Sequence, residues 1–220
     1  DITENGIKYI KQDGSVGYYQ TVNKTTPVAG DVKYVDRNGD GVVDDNDRDI
    51  IGNPNPDFTY GFQTKVSWKS LSLSASFNGV QGRDILNVGN RYNNTPGTKS
   101  NNVTRKAFQN MWTDENPSNL YPKSTFVVQN MVMDRYVEDG SYLRCSDITL
   151  SYVLPAKWTN KIGIKNTSVY ASVKNAFVIT DYSGYDPEVN SFAFDGLRPG
   201  VDMNSYPTPR SFVFGLNLTF

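Results

Sequence analysis

The chain has 220 residues, enough to bury a core, and its 22 Lys and Arg nearly balance its 23 Asp and Glu. The absence of His excludes His-based acid–base catalysis and His-liganded zinc, and the single Cys145 excludes an internal disulfide or a thiolate metal cluster. Because charges of both signs are interspersed, we expect no nucleic-acid partner. No run of about 18 apolar residues, the length of a membrane-spanning helix, is present.

The first part of the chain has little periodicity. Residues 1–28 contain short alternating pieces between glycines, and we expect loop or sheet-edge material there. The abrupt start leads us to expect a longer upstream chain. Residues 32–35 alternate like a strand.

Residues 36–47, DRNGDGVVDDND, have the spacing of a calcium-binding loop. Gly41 falls where such a loop turns through positive φ, and Val43 takes the apolar position near its end. Calcium prefers oxygen ligands, and this spacing supplies them. The predicted ligands are Asp36, Asn38, Asp40, the Val42 carbonyl, Asp44 and Asp47.

This loop departs from a helix-flanked calcium switch. Its last ligand position is Asp47, which is one methylene shorter than the usual Glu, and Pro54 and Pro56 would interrupt a helix after the loop. Without flanking helices to open, the loop is better interpreted as a structural clip. The alternative is an ordinary solvated turn rich in Asn, Asp and Gly.

The rest of the chain predicts five strands that each present one apolar face. Residues 58–68 alternate over a length that suits one tilted bilayer crossing of about 9–11 residues. A turn at 68–70 joins them to 71–78 in an antiparallel hairpin. Further strands are predicted at 147–154, 169–179 and 211–220. The apolar face should contain Phe58, Phe62, Leu73, Phe77, Leu150, Phe214 and Leu218, and the opposite face Gln63, Ser74, Thr149 and Asn217.

Connections between these strands alternate between long and short. Residues 81–139, with one helix-like piece at 103–111, and residues 181–208 lack strand periodicity and are rich in Asn, Pro and Gly. Outer-membrane barrels place long loops outside and short turns on the periplasmic side. Interfacial aromatic residues would suit the strand ends, where Tyr60, Trp68, Tyr142 and Tyr152 lie, and Phe220 ends the last strand.

Four blocks of the sequence resemble motifs of the SusC/RagA-type TonB-dependent outer-membrane transporters. They are GDVKY with the NGDG loop and IGNPNPDFTYGF in 30–62, SYLRCSDITLSY in 141–152, VKNAF followed by GYDPE in 173–188, and YPTPRSF with the closing strand in 206–220. Cys145 stands where an apolar residue is usual in the family. The blocks occur in the family's order and cover nearly the whole chain.

The resemblance implies an all-β fold, in which residues 1–220 form the carboxy-terminal portion of an antiparallel transmembrane β-barrel. Residues 31–57 would be an extracellular calcium-type loop, and 58–220 the last five strands and two long loops of a barrel of about 22 strands. The plug and the earlier strands would lie outside this chain. It also implies the outer membrane of a Gram-negative, Bacteroidetes-like cell, and TonB-dependent uptake of oligosaccharides or peptides with a SusD-like surface lipoprotein. Such a protein is not an enzyme.

Two questions stay open from the sequence. A secreted, calcium-stabilised β-sandwich that binds carbohydrate would show the same alternation. In the long loops, the aromatic residues would either stack on sugar rings or pack within their own loops or against the lipoprotein. We expect the loops to form much of the lipoprotein contact. The candidate substrate-binding residues are Trp112, Tyr121, Tyr185 and Phe192.

Overall fold

The computed structural model describes residues 2–3, 6–10, 13–19, 28–40, 43–95, 102–124, 132–159, 164, 166–188 and 190–219. The chain divides into two compact units, Asp1–Ile51 with Gly89–Met133 and Gly52–Val88 with Asp134–Phe220. In chain order the strands are β1 (Ile2–Thr3), β2 (Gly6–Ile10), β3 (Val16–Tyr19), β4 (Phe58–Trp68), β5 (Leu71–Gln81), β6 (Asp84–Asn87), β7 (Val137–Asp139), β8 (Tyr142–Val153), β9 (Asn166–Thr180), β10 (Val201–Asp202) and β11 (Ser211–Thr219), and the helices are α1 (Val88–Asn94), α2 (Arg105–Asn110) and α3 (Ala156–Thr159).

The main sheet of the second unit is antiparallel and has the order β11-β9-β8-β5-β4. It places a strand in each of the five segments predicted from the alternation. β4 and β5 pair along their whole length, from Phe58 opposite Gln81 to Trp68 opposite Leu71. Lys69 turns the hairpin with a φ of 54°, a left-handed conformation that few non-glycine residues adopt. The tight connection fixes the register of the pair.

One face of this sheet is apolar, and it is exposed. Directly paired residues share a face, so Phe62 lies with Phe77, and their rings stack with centroids 4.6 Å apart. Phe58 is 56% exposed and Phe214 is 79% exposed. Burial in a sandwich core would have covered these side chains. The exposed members of the face include Phe58, Phe62, Val66, Leu73, Leu150, Phe212, Phe214, Leu216 and Leu218.

The opposite face of the sheet is polar. Lys65 pairs with Ser74, Ser74 with Thr149, and Thr149 with Ser172, so a row of hydroxyl groups crosses the strands. Asp147 lies in the neighbouring row of the same face, opposite Ser76, accepts hydrogen bonds from the Thr149 and Ser172 hydroxyls, and forms an ion pair with Lys174. The face assignment made from the alternation therefore agrees with the register.

A bulge in β8 changes the face of the residues before it. Between Cys145 and Asp147 the strand gains one residue, so Asp147 pairs with Ser76 whereas Cys145 pairs with Phe77. Cys145 therefore lies on the apolar side and is fully buried there, while Arg144 shares the polar face with Asp147. Simple alternation counted back from Ile148 would give the reverse assignment for Arg144.

The long connections contain structure that the sequence pattern did not predict. β10, β6 and β7 form a second, three-stranded sheet in which β10 and β6 are parallel. Gly200 leads into it with a φ of 68°, and a Cβ there would lie 2.6 Å from Pro54 Cβ. The expectation of unbroken loops at 81–139 and 181–208 was therefore wrong at their ends, where strands of two to four residues pair with distant partners.

The first unit contains the antiparallel sheet β1-β2-β3 and helix α2. The Thr104 hydroxyl caps α2 by accepting a hydrogen bond from Ala107 N–H, as the predicted helical piece at 103–111 requires. Residues 32–35 do not form a strand, contrary to the expectation. Among the described residues, no helix is both long and apolar enough to cross a membrane.

Candidate functional site

The predicted calcium loop is closed by the carboxylate of Asp47. One oxygen of Asp47 accepts a hydrogen bond from Arg37 N–H at 2.8 Å, and the other accepts from Asp44 N–H at 2.8 Å. Asp44 in turn caps the short 3-10 turn Asp45–Asp47. At the start of the loop, Asp36 accepts from Gly39 N–H at 2.7 Å. The two ends of the loop are therefore held together through side-chain oxygens.

The oxygen donors of this loop fit calcium in kind. Each carboxylate keeps acceptor capacity beyond the backbone N–H groups it already binds, and Asn38 adds an amide oxygen. Gly41 and Val42, which were predicted to supply the turn and a carbonyl ligand, lie outside the described residues. Within the described part of the chain, no three acidic or Cys side chains are grouped as metal ligands would be. Calcium binding therefore stays a prediction.

Trp112 and Tyr121, two of the four predicted substrate-binding residues, are neighbours in the first unit. Trp112 N–H donates to the Tyr121 carbonyl at 3.1 Å, and both side chains are half-buried. The Trp112 ring lies against Gly30, where a Cβ would come within 2.5 Å of the ring. The Trp112 ring therefore packs against its own unit.

Tyr185 and Phe192 lie in the connection between β9 and β11, in the second unit. Tyr185 is 72% exposed. Phe192 is half-buried, and the Arg198 guanidinium lies 5.4 Å from the centre of its ring. Tyr185 is thus the more available of the two for contact with another molecule.

An extensively bonded group among the described residues of the second unit is a set that the sequence interpretation did not assemble. We call Arg83, Tyr142, Arg144, Asp186 and Glu188 the Arg144 cluster. Arg144 Nη2 lies 2.5 Å from Asp186 Oδ1, and Arg144 Nε lies 2.6 Å from Glu188 Oε2. The Tyr142 hydroxyl donates to Glu188 at 2.7 Å, and Arg83 donates to the Pro187 carbonyl at 2.6 Å. Two guanidinium groups thus hold three consecutive residues of the connection.

Further contacts hold the same connection at its base. The buried Tyr182 hydroxyl donates to the buried carboxylate of Asp202 at 2.7 Å. Ser183 donates through its N–H and its hydroxyl to Glu138 on β7, each at 2.9 Å. Thr208 N–H donates to Asp186 at 3.0 Å, so both ends of the connection meet at this carboxylate.

The electrostatics of the connection depend on burial and on these partners. Burial alone would raise the pKa of Asp186, but hydrogen bonds from Glu188 N–H and Thr208 N–H and the charge of Arg144 lower the pKa below its ordinary value. Burial, together with the hydrogen bond to Asp202, raises the pKa of Tyr182. Asp186 is therefore charged and Tyr182 neutral at physiological pH.

The sequence interpretation of Tyr142 needs correction here. Tyr142 is not an interfacial aromatic residue of the apolar face, because it is 6% exposed and lies on the polar face beneath Glu188. Arg144, two residues further along β8, is also covered, because its side chain is 6% exposed and is paired with both Asp186 and Glu188. The sequence signal that could have revealed this cluster is chemical, because a buried guanidinium requires carboxylate partners. The GYDPE block supplies two carboxylates, Asp186 and Glu188.

The comparisons with known proteins agree on one family. Over 201 residues the chain is 35% identical to TonB-dependent receptor P26 of Formosa agariphila, covering 88% of this chain and 20% of that protein. It is 34% identical over 194 residues to TonB-dependent receptor SusC of Bacteroides thetaiotaomicron, covering 85% of this chain and 17% of that protein. The chain thus spans about a fifth of the length of these relatives. No family model matches the chain.

Solved structures give the same result for the fold. The RagAB peptide importer in its closed-closed state aligns with a TM-score of 0.70 at 27% identity, over 85% of this chain and 20% of that chain. In its open-open state the TM-score is 0.65 at 30% identity, over 78% of this chain and 18% of that chain. With the sequence blocks, the exposed apolar face and these relatives in agreement, the chain belongs to the SusC/RagA family of TonB-dependent receptors.

Proposed function

We propose that this chain is the carboxy-terminal part of the barrel wall of a TonB-dependent importer in the outer membrane of a Gram-negative bacterium. The observation that carries the proposal is the main sheet itself, in which an exposed apolar face lies opposite a row of hydroxyl and charged groups. Lipid would cover the first face and the aqueous lumen would wet the second. β4 and β5 have 11 residues each, which suits a tilted crossing. Transport of this kind breaks no covalent bond, so the protein is not an enzyme.

The proposed substrate is an oligosaccharide. A peptide is the alternative, because RagAB, with which the chain aligns, is a peptide importer. The test is to purify the full-length transporter from its native membrane and identify the bound solute by mass spectrometry. Release of oligosaccharides would support the first assignment, and release of peptides the second. A transporter that yields neither, and whose deletion leaves growth on both nutrient classes unchanged, would contradict nutrient import.

We propose a SusD-like surface lipoprotein as the partner of residues 190–198, which we call the tip of the connection between β9 and β11. Phe194 is 90% exposed and Leu197 is 93% exposed, and Tyr206 nearby is 88% exposed. Exposed apolar side chains in one long loop are typical of a protein–protein contact. Energy for import would reach the whole protein through TonB. This proposal is supported by the relatives, which are named TonB-dependent receptors.

Phe194→Ser combined with Leu197→Ser should weaken recovery of the lipoprotein in a pull-down from solubilised membranes. Trp158→Ser is the matched control, because this residue is also exposed but lies on α3, after β8 and before β9, in a short connection. Full recovery of the lipoprotein with the tip variant, at equal expression, would contradict the proposal that the tip binds the lipoprotein.

We also propose that the loop at 36–47 binds one structural Ca²⁺. Asp36, Asn38, Asp40, Asp44 and Asp47 and the Val42 carbonyl would hold the ion. Their spacing supports this proposal, together with the closure of the loop through Asp47. The ion would offset the repulsion among four carboxylates and would thereby rigidify an exposed segment.

A further inference from the structure

Side chains of the main sheet contact residues 182–188, at the start of the connection between β9 and β11, and those of Asn78, Tyr142 and Arg144 share one face. The register places Asn78 opposite Arg144 and Ser76 opposite Asp147, and Val80 opposite Tyr142. Paired residues share a face, and alternate residues of one strand return to it. Asn78, Tyr142 and Arg144 therefore lie on the same polar face as Asp147 and its hydroxyl row.

All three of these side chains contact the connection. Arg144 binds Asp186 and Glu188, the Tyr142 hydroxyl donates to Glu188, and Asn78 Nδ2 donates to Glu188 at 3.3 Å. A segment that makes these contacts must lie over the polar face. We call residues 182–188 the stem of the connection. The bulge in β8 is what makes this possible, because it turns Arg144 toward the polar side.

The stem is held firmly, whereas among the described residues no hydrogen bond or ion pair joins the tip to the main sheet. Asp186 is 2% exposed and Pro187 is fully buried, while Ser191 forms hydrogen bonds with Val201, Met203 and Ser205 within the same connection. Tyr185 directly precedes this buried pair and is 72% exposed. One connection thus has a buried base over the polar face and an exposed outer part.

We propose that the stem folds into the lumen and forms a fixed constriction of the solute path, with Tyr185 at its open side. This rests on the proposed function, in which the polar face lines the lumen. Because Arg144 and Asp186 are buried and Arg144 is paired with two carboxylates, the constriction would set an upper size for solutes rather than open and close as a lid. The tip, by contrast, would stay outside the mouth and remain available to the lipoprotein.

The experiment uses the full-length transporter in intact cells, with Cys145→Ala in every variant so that only the introduced thiol reacts. Tyr185→Cys reports on the stem, and Leu197→Cys is the matched control on the tip. Each is labelled from outside with a small membrane-impermeant maleimide and, separately, with a large polyethylene glycol maleimide. We expect the small reagent to label both cysteines and the large reagent to label only the tip.

A second arm releases the stem. Arg144→Met, combined with Tyr185→Cys, should allow the large reagent to label the stem. If this variant fails to assemble, the test is the labelling of Tyr185→Cys against Leu197→Cys by the large reagent, with Arg144 unchanged. Equal labelling of both cysteines by the large reagent would contradict the constriction and leave the proposed importer standing. If neither reagent labelled either cysteine, the proposed orientation in the outer membrane would be contradicted as well.

Discussion

Arg144 and Asp186, which are 42 residues apart in the chain, form an ion pair in which both side chains are almost completely buried. The pair joins two of the blocks by which the chain resembles its family, SYLR on β8 and GYDPE after β9. Thr208 N–H, in the YPTPR block, donates to the same carboxylate. Three blocks that are distant in the sequence therefore form one structure at one end of the main sheet.

Breaking this pair from one side should release the stem. Arg144→Met leaves the buried carboxylate of Asp186 without its cation, which typically costs about 3–5 kcal/mol. We expect faster cleavage of residues 182–208 by an external protease in outer-membrane vesicles. Arg198→Met is the control, because its pair with Asp195 is exposed and such pairs contribute about 0–1 kcal/mol. Equal cleavage of the two variants would argue against a role for the buried pair.

Acidification should weaken the stem only at low pH. The pKa of Asp186 is held below its ordinary value of 3.8, so its ionised form stabilises the folded connection above that pH. This stabilisation is lost as the pH falls through the folded-state pKa. Cleavage by an acid protease should therefore stay slow down to about pH 4 and accelerate below it. In Asp186→Asn the acceleration should be reduced, and an unchanged profile in that variant would assign the acid sensitivity to another group.

Calcium should protect the loop at 36–47 from proteolysis. We expect one ion with about six or seven oxygen ligands, and Asp40→Ala should abolish the protection without affecting barrel assembly. Asp45→Ala is the control, because Asp45 pairs with Arg48 at the surface and is not a predicted ligand. A well-ordered loop without an ion at millimolar calcium would rule the site out.

The parts of this fold that alternation predicted are those with long, regular pairing. β4 and β5 pair over 11 residues each, so a period of two is legible from Phe58 to Gln81. The second sheet was missed because its strands have two to four residues and pair across long stretches of chain. A pattern of local periodicity carries no information about such pairing.

The face of Arg144 was unpredictable for a different reason. A single extra residue near Ser146 inverts the alternation, and a bulge has no reliable sequence signal. Tyr142 was misassigned for a related reason, since strand-end tyrosines suit both a membrane interface and a buried hydrogen bond. The sequence predicted the oxygen donors of the loop at 36–47, but it did not predict that Asp47 closes the loop by accepting hydrogen bonds from backbone N–H groups.

Charged substitutions should separate the two faces of β5. Leu73→Arg places a charge on the exposed apolar face and should cost about 2–4 kcal/mol if that position lies near the bilayer midplane. Ser74→Arg, at the next residue, points to the polar face and should cost far less. The readout is the amount of heat-modifiable, folded full-length protein recovered from the outer membrane. Similar losses for both variants would contradict the assignment of faces.

Spin labels on adjacent residues of β5 would show directly whether this sheet is part of a membrane-spanning wall. In Cys145→Ala full-length protein in lipid bilayers, a label at Leu73→Cys should relax strongly with oxygen, which concentrates in lipid, and weakly with a water-soluble nickel complex. A label at Ser74→Cys, facing the lumen, should show the reverse preference. If the Leu73 label were shielded from both reagents, as in the core of a sandwich, or preferred the nickel complex, the membrane assignment would be wrong.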